Sequence, residues 1–230
     1  MSFQPQSQLE QIYAASFSDD WNIATLKALE KAFTKAEGHC RPPDFGPQEA
    51  KDLRSHYCRA IFENEWRKLS NKFSGVQAES RLNKGGSYSH TWVQAGNLFL
   101  TASSVANPHS KPRQADFRTV YAENGQLNLF GQVQPPEAFY AILLYGPPQA
   151  SSPAFVTIAF PSKQWNTFVE RIDLLARYPG VIGTPVLRPE PERVQKPTVQ
   201  PIRVSPEEKI QAPQKPRIRN PRKKTGEERA

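Results

Sequence analysis

The sequence predicts an α+β fold: an N-terminal helical hairpin or three-helix layer, then a mostly antiparallel sheet of about five to six strands closed by a C-terminal helix. Three observations support this prediction. Over the first 75 residues, apolar side chains recur every three to four positions, as they do along one face of a helix. From Val76 they alternate with polar ones, as in a half-buried strand. Short turns join the successive strands, which favours antiparallel pairing.

The helical part begins with a short helix expected over residues 8–17. Ser18 is a suitable N-cap for a second helix, and the two aspartates that follow it favour the helix dipole. This second helix is expected to end before Gly38. Pro47 suits the first turn of a third helix, which Gly75 ends. Two such helices, each with one apolar face, are expected to pair as a hairpin.

The part that follows is divided into short segments by turn signals at 84–86 and 95–97. A short helix is expected at 113–123, and a final helix is expected to start at Ser162 and end before Tyr178. The predicted strands are 76–82, 87–93, 98–105, 127–130, 139–145 and 154–160.

Composition divides the chain into a nearly neutral body and a basic tail. Residues 1–75 and 76–183 are expected to form one compact unit, followed by a proline-rich tail at 184–230. Residues 185–230 hold 12 Lys and Arg against 6 Asp and Glu, together with 9 prolines and no aromatic residue. Such a segment cannot bury enough apolar surface to offset the entropy lost on ordering, so the tail is expected to be disordered.

Several function classes are excluded by what the sequence lacks. It has no run of about 18 apolar residues, so no transmembrane helix is expected. Its start shows neither a basic n-region nor an apolar h-region, which favours a soluble, cytoplasmic protein without a membrane partner. Motifs typical of P-loop nucleotide hydrolysis, dinucleotide binding, zinc proteases and serine hydrolases are absent, and no cofactor is predicted.

Two histidines and two cysteines within 20 residues are the weak candidates for a metal site: His39, Cys40, His56 and Cys58. Together they match the ligand inventory of a structural zinc site. The spacing argues against zinc, because residues two apart on a helix, such as His56 and Cys58, point about 200° apart. The alternative is a buried cysteine on each element with solvent-facing histidines, and no metal is predicted.

A cluster of polar side chains in the first half of the predicted sheet contains the candidate catalytic residues, His90, Asp116 and Arg118. His90 lies between Tyr88 and Trp92 on one strand face, where it suits a general base or a base-stacking platform. Asp116 and Arg118 suit orienting that histidine or binding a phosphate. The alternative is a core histidine with surface ion pairs around it. The cluster also contains Arg81, Arg113 and Tyr121.

The end of the tail is the clearest sign of a nucleic-acid partner, because six basic residues occur there within ten positions and without an acid. They are Lys215, Arg217, Arg219, Arg222, Lys223 and Lys224. Lysine and arginine bind DNA or RNA through phosphates, which gives salt-sensitive and sequence-tolerant affinity. A solubilising end, or a targeting stretch read by a receptor, is the alternative.

Two functional hypotheses follow from these patterns. In the first, the protein is a non-enzymatic binding or accessory factor whose body binds a protein partner and whose tail contacts nucleic acid. In the second, the body is an enzyme or small-ligand domain with a pocket around His90, Asp116 and Arg118. An apolar groove of aromatic side chains on the surface favours the first hypothesis. A closed concave pocket in which His90 lies within hydrogen-bonding reach of Asp116 or Arg118 favours the second.

Overall fold

Three helices come first in the chain, as the sequence predicts: α1 (Gln8–Ser16), α2 (Asp19–His39) and α3 (Pro47–Ser70). The hydroxyl of Ser18 caps α2 by accepting the Trp21 backbone N–H at 3.2 Å. Two aspartates in the first turn of α2 complement the helix dipole. The proline at the start of α3 needs no hydrogen-bond partner for its nitrogen, which explains why the helix begins there.

The structure is a computed structural model, and it describes residues 7–41, 43–83, 86, 88–113, 115–123 and 138–183. All of these residues belong to the compact unit Met1–Leu187. The strand predicted at 127–130 and the predicted tail at 184–230 lie outside the described residues.

A six-stranded mixed sheet follows the helices. Its strands are β1 (Val76–Leu82), β2 (Ser89–Ala95), β3 (Leu98–Ser104), β4 (Phe139–Gly146), β5 (Phe155–Pro161) and β6 (Phe168–Asp173). They lie side by side in chain order, and all neighbours are antiparallel except β3 and β4, which are parallel. The helix α4 (Asp116–Glu123) lies between these two strands in the chain, as parallel neighbours need a long crossover connection.

The sheet divides between β2 and β3. Each of the pairs β1–β2 and β3–β4 is joined over seven residue positions. By contrast, β2 and β3 pair over three positions, the last of which places Val93 opposite Leu100. Residues 89–92 of β2 therefore diverge from residues 101–104 of β3. We call the gap between these two segments the fork.

Apolar side chains cover both faces of the sheet, because side chains alternate between the faces along each strand. On one face, α1–α3 pack through buried aromatic side chains. The Trp21 ring centroid lies 6.1 Å from that of Trp66, and the Trp21 indole N–H donates to the Ser70 hydroxyl at 3.1 Å. On the other face, Tyr121 of α4 packs against Phe99 of β3, with 5.1 Å between ring centroids.

The final helix predicted from Ser162 is wrong for residues 168–173. The structure forms β6 there, which pairs antiparallel with β5. Among the described residues after β6, the only helix is the four-residue α5 (Leu174–Arg177). The apolar spacing fits a helix, but pairing along β5 satisfies backbone groups that an open sheet edge leaves unpaired. The Asp173 carboxylate then caps α5 by accepting two backbone N–H groups.

The remaining elements agree with the sequence-based expectation. An α+β fold with a mostly antiparallel sheet is confirmed, and five of the six predicted strands are present within two residues of their predicted bounds. The short helix predicted before the second half of the sheet is present as α4. Among the helices of the described ranges, not one combines the length and the apolar character that a bilayer crossing requires.

Candidate ligand-binding site

A cavity of about 610 Å³ lies at the fork. Its walls are the middle of α3, Asn83 and Tyr88 between β1 and β2, the start of β2, the end of β3 and the start of α4. Because β2 and β3 separate here, the cavity extends from α3 on one face of the sheet to α4 on the other. Its volume falls within the roughly 300–1,000 Å³ that is typical of sites for small molecules.

Arg118 of α4 fixes one side of the cavity. Its guanidinium donates to the Arg113 carbonyl at 2.7 Å and to the Ala102 carbonyl of β3 at 3.5 Å. The side chain thereby ties the start of α4 to the strand segment that borders the fork. Its Nε atom is buried and has no hydrogen-bond partner among the described residues. A charged donor on an immobilised side chain is therefore left for a ligand.

His90 of β2 is buried against α4, with 4% of its surface exposed. Its ring stacks on the Phe117 ring, with 3.8 Å between centroids and 4° between planes. Burial lowers the pKa of the imidazole to about 4, and the positive charges of Arg118, Arg81 and Arg59 act in the same direction. The ring is therefore neutral at pH 7, with one donor and one acceptor nitrogen. Neither nitrogen has a hydrogen-bond partner in the described part of the chain.

The α3 wall contributes a second arginine and a buried acid. The Arg59 guanidinium lies over the Tyr88 ring, 3.9 Å from its centroid, and its Nε is 3.7 Å from Glu63 Oε1. Burial raises the pKa of the Glu63 carboxyl, and the charge of Arg59 and a hydrogen bond from Thr91 oppose this rise. The Thr91 hydroxyl also accepts from Arg67 at 2.7 Å, which joins β2 to α3.

Positive charge outweighs negative charge around the cavity. Arg59, Arg113 and Arg118 line it together with two acids, Glu63 and Asp116. The charge of the Glu63 carboxyl is opposed by the nearby Arg59 guanidinium. The start of α4 adds the positive end of a helix dipole. The electrostatics of the cavity therefore favour an anion.

All three predicted catalytic residues, His90, Asp116 and Arg118, line this cavity. No hydrogen bond within the described residues joins the His90 ring to either of the others, and Asp116 is exposed. They share a cavity, but the hydrogen bond to His90 that the pocket hypothesis requires is not formed among the described residues. Their catalytic role stays a prediction. Arg81 does not line the cavity; its guanidinium lies over the Trp92 ring, 3.7 Å from the centroid.

The sequence pattern missed several residues that line the cavity, among them Arg59, Glu63 and Ser104. Arg59 and Glu63 are four apart on a helix, a spacing that is common to ion pairs on any solvated helix face. Ser104 ends β3, and its hydroxyl is buried without a hydrogen-bond partner in the described ranges. Nothing in the residue type at these positions distinguishes a cavity wall from an ordinary surface.

The four residues considered for zinc have separate surroundings. Cys40 and Cys58 are buried, free thiols, and burial raises the pKa of Cys58 to about 12, so this thiol keeps its proton at neutral pH. His56 lines the cavity, and the His39 ring lies 5.3 Å from the Tyr57 ring. The described residues contain no group of three or more His, Cys, Asp or Glu side chains that could hold a metal ion.

Comparisons with protein-family models, with curated protein sequences and with solved structures find no match for this chain. The chemistry of the cavity walls is therefore the basis for a functional assignment. These walls bring together a neutral imidazole, immobilised arginines, a serine hydroxyl and the start of a helix. Such a set of donors can bind and orient an anionic group.

Proposed function

We propose that the body of this protein binds a small anionic molecule in the cavity at the fork. The observation that carries the proposal is the buried His90 ring, whose nitrogens have no hydrogen-bond partner among the described residues and which lines the cavity with Arg59 and Arg118. Buried polar atoms are normally paired, because an unsatisfied one costs roughly 1–3 kcal/mol. A bound anion supplies acceptor oxygens for these donors.

Binding fits this cavity better than catalysis does. A general base works best when its pKa lies near the working pH, and the pKa of His90 is about 4. No hydrogen bond from Asp116 or Arg118 orients the imidazole for proton transfer in the described residues. We therefore assign the body a non-enzymatic role in which charge and hydrogen bonds hold the ligand.

The Arg59→Met substitution is expected to weaken the binding of small anions at least about tenfold, since a hydrogen bond to a charged group contributes roughly 1.5–3 kcal/mol. Inorganic phosphate, sulfate and citrate are suitable probes, titrated by isothermal calorimetry at constant ionic strength. The matched control is Arg54→Met. Arg54 also lies on α3, but it donates to the Gln149 carbonyl at 3.2 Å and does not line the cavity.

Two results would contradict the proposal. Equal weakening by Arg59→Met and Arg54→Met would place the anion outside the cavity. Failure of the unmodified protein to bind any anion of the panel would exclude the anion site, and a protein partner would then be the better hypothesis for the body. Urea denaturation of both variants checks that each has folded.

For the tail, which lies outside the described residues, we propose contact with DNA or RNA through phosphates. The support is the run of six basic residues between Lys215 and Lys224. Acids are absent from this run, whereas the rest of the tail mixes acids with bases. Contact through phosphates alone gives no sequence preference.

Replacing the six basic residues of this run by glutamine is expected to abolish nucleic-acid binding. For the unmodified chain, the log–log dependence of affinity on salt should have a slope no steeper than about −5 on duplex DNA, at roughly 0.9 per phosphate contacted. Gel-shift titrations at two salt concentrations measure both effects. The control replaces the five basic residues Arg188, Arg193, Lys196, Arg203 and Lys209. Equal losses of nucleic-acid affinity in both variants would show that the run between Lys215 and Lys224 has no special role.

A further inference from the structure

We propose that the ligand of the cavity is a nucleoside monophosphate, with its phosphate at the start of α4 and its base beside Tyr88. This inference rests on the proposed anion site and names the class of its ligand. The α4 side and the α3 side of the cavity differ in chemistry, and each side supports one half of the ligand.

On the α4 side, unpaired polar atoms come from three different elements. Ser104 Oγ of β3, the ring nitrogens of His90 on β2 and Arg118 Nε of α4 are buried without hydrogen-bond partners in the described ranges. Two other donors of Arg118 are held by backbone carbonyls, so the guanidinium keeps its position without a ligand. Donors from several directions suit the oxygens of a tetrahedral phosphate better than those of a planar carboxylate.

The start of α4 adds a second source of positive potential on this side. Arg118 and Thr119 donate their backbone N–H groups to the Ala115 carbonyl at 2.9 and 3.3 Å, so the helix begins at the cavity wall. Free N–H groups and the helix dipole favour phosphate at a helix N-terminus. Asp116 opposes this effect, but it is exposed, and Arg113 and Arg118 outnumber it there.

The α3 side offers a flat ring and hydrogen-bond acceptors. Tyr88 is 44% exposed, and the Arg59 guanidinium lies over its ring at 3.9 Å. Nucleic-acid bases stack on aromatic rings such as that of Tyr88, and the Arg59 guanidinium beside this ring can still donate to the phosphate. The Asn83 Oδ1 atom is buried without a hydrogen-bond partner among the described residues, and the Glu63 carboxyl lines the same space. Amide and carboxylate oxygens accept hydrogen bonds from the amino groups of bases.

The size of the cavity agrees with a ligand of two parts. A phosphate group alone fills a small fraction of about 610 Å³. The remaining volume accommodates a sugar and a base between the α4 side and Tyr88. A ligand that carries both parts uses all of the unpaired donors and acceptors described above.

Calorimetric titration of the full chain with matched probes tests the two halves separately. The probes are the monophosphates of adenosine, guanosine, cytidine and uridine, the corresponding nucleosides, ribose 5-phosphate and citrate. The monophosphate that binds most tightly is expected to have an affinity about tenfold or more above that of its own nucleoside and that of ribose 5-phosphate. Charged hydrogen bonds and base stacking each contribute to its binding.

Two substitutions test whether the phosphate binds on the α4 side of the cavity and the base on the α3 side. Ser104→Ala is expected to weaken monophosphate and ribose 5-phosphate binding several-fold and to leave nucleoside binding unchanged. Tyr88→Leu is expected to weaken monophosphate and nucleoside binding and to leave ribose 5-phosphate unchanged. Ser89→Ala is the control, because Ser89 begins β2 next to the fork but does not line the cavity.

The outcomes separate this inference from the proposed function. Citrate binding that depends on Arg59, without binding of any phosphate compound, would show that the ligand class is wrong and that the anion site is right. If ribose 5-phosphate binds as tightly as the monophosphates do, the base does not contribute to binding, and the base position beside Tyr88 is wrong. If no probe binds, the anion site and the ligand class are both wrong.

Discussion

Replacing Trp21 by alanine is expected to lower the free energy of unfolding by about 3–5 kcal/mol, the usual cost of removing a large buried aromatic side chain. Trp21 is fully buried. Its ring lies 4.2 Å from Phe17 between centroids, and its indole N–H pairs with the Ser70 hydroxyl. The substitution therefore removes the contact that joins α1, α2 and α3 and also leaves a hydroxyl without its donor. Urea denaturation followed by circular dichroism measures the loss.

The control for this experiment is Leu82→Ala at the end of β1. Leu82 is 70% exposed, so its replacement is expected to change the free energy of unfolding by no more than about 0.5 kcal/mol. Trp21→Phe keeps an apolar ring but lacks the N–H donor. Its loss in free energy of unfolding should therefore lie between the losses for Trp21→Ala and Leu82→Ala. A loss for Trp21→Ala no larger than that for Leu82→Ala would mean that the helices do not pack as described.

Gly146→Ala is expected to destabilise the protein by roughly 3 kcal/mol or more, at the upper end of the range for overpacking. A Cβ atom at Gly146 would lie 2.1 Å from the Val105 carbonyl oxygen and 3.1 Å from the Phe155 ring. The strands cannot easily move apart, because the Val105 N–H donates to the Tyr145 carbonyl at 2.9 Å and Gly146 pairs with Phe155. The melting temperature should fall by roughly 2–4 °C for each kcal/mol.

The matched control is Gly38→Ala in α2. No other atom lies within 4 Å of a Cβ built at this position. Alanine in a helix loses less conformational entropy on folding than glycine, so this substitution is expected to stabilise the protein by about 0.5–1 kcal/mol. Similar melting temperatures for the two variants would contradict the close approach of β4 to Val105.

Local sequence patterns predicted most of the fold, since they report features that each element carries by itself. The cap at Ser18 and the proline at the start of α3 marked helix ends. Alternation or short apolar runs between turn signals marked five of the strands. The strand β6 was not predicted, because Phe168 and Ile172 are four residues apart and fit a helix equally well. The open edge of β5 decides between the two structures, and that edge exists only after the sheet has formed.

The candidate site was predictable only in part, because its residues come from separate segments of the chain. His90, Asp116 and Arg118 were recognised from their chemical types, but their convergence was not. Arg59 and Ser104 join them only because β2 and β3 separate beyond Val93. Strand divergence depends on how α3 and α4 pack on opposite faces of the sheet, and no single segment carries a signal for it. The sequence therefore indicated the reactive groups without indicating the space between them.

The fork leaves the β1–β2 strand pair with few backbone hydrogen bonds to the rest of the sheet. Within the described strands, three residue positions shared with β3 are its only ladder contact with the rest of the sheet. One side of the β1–β2 strand pair is bound to α3, because Arg67 donates to Thr91 and Asn71 exchanges two hydrogen bonds with Ala78. Units that share few backbone hydrogen bonds with their surroundings open at lower free energy than the core does. A ligand at the fork contacts both β2 and β3, so its binding energy also stabilises the position of this strand pair against the rest of the sheet.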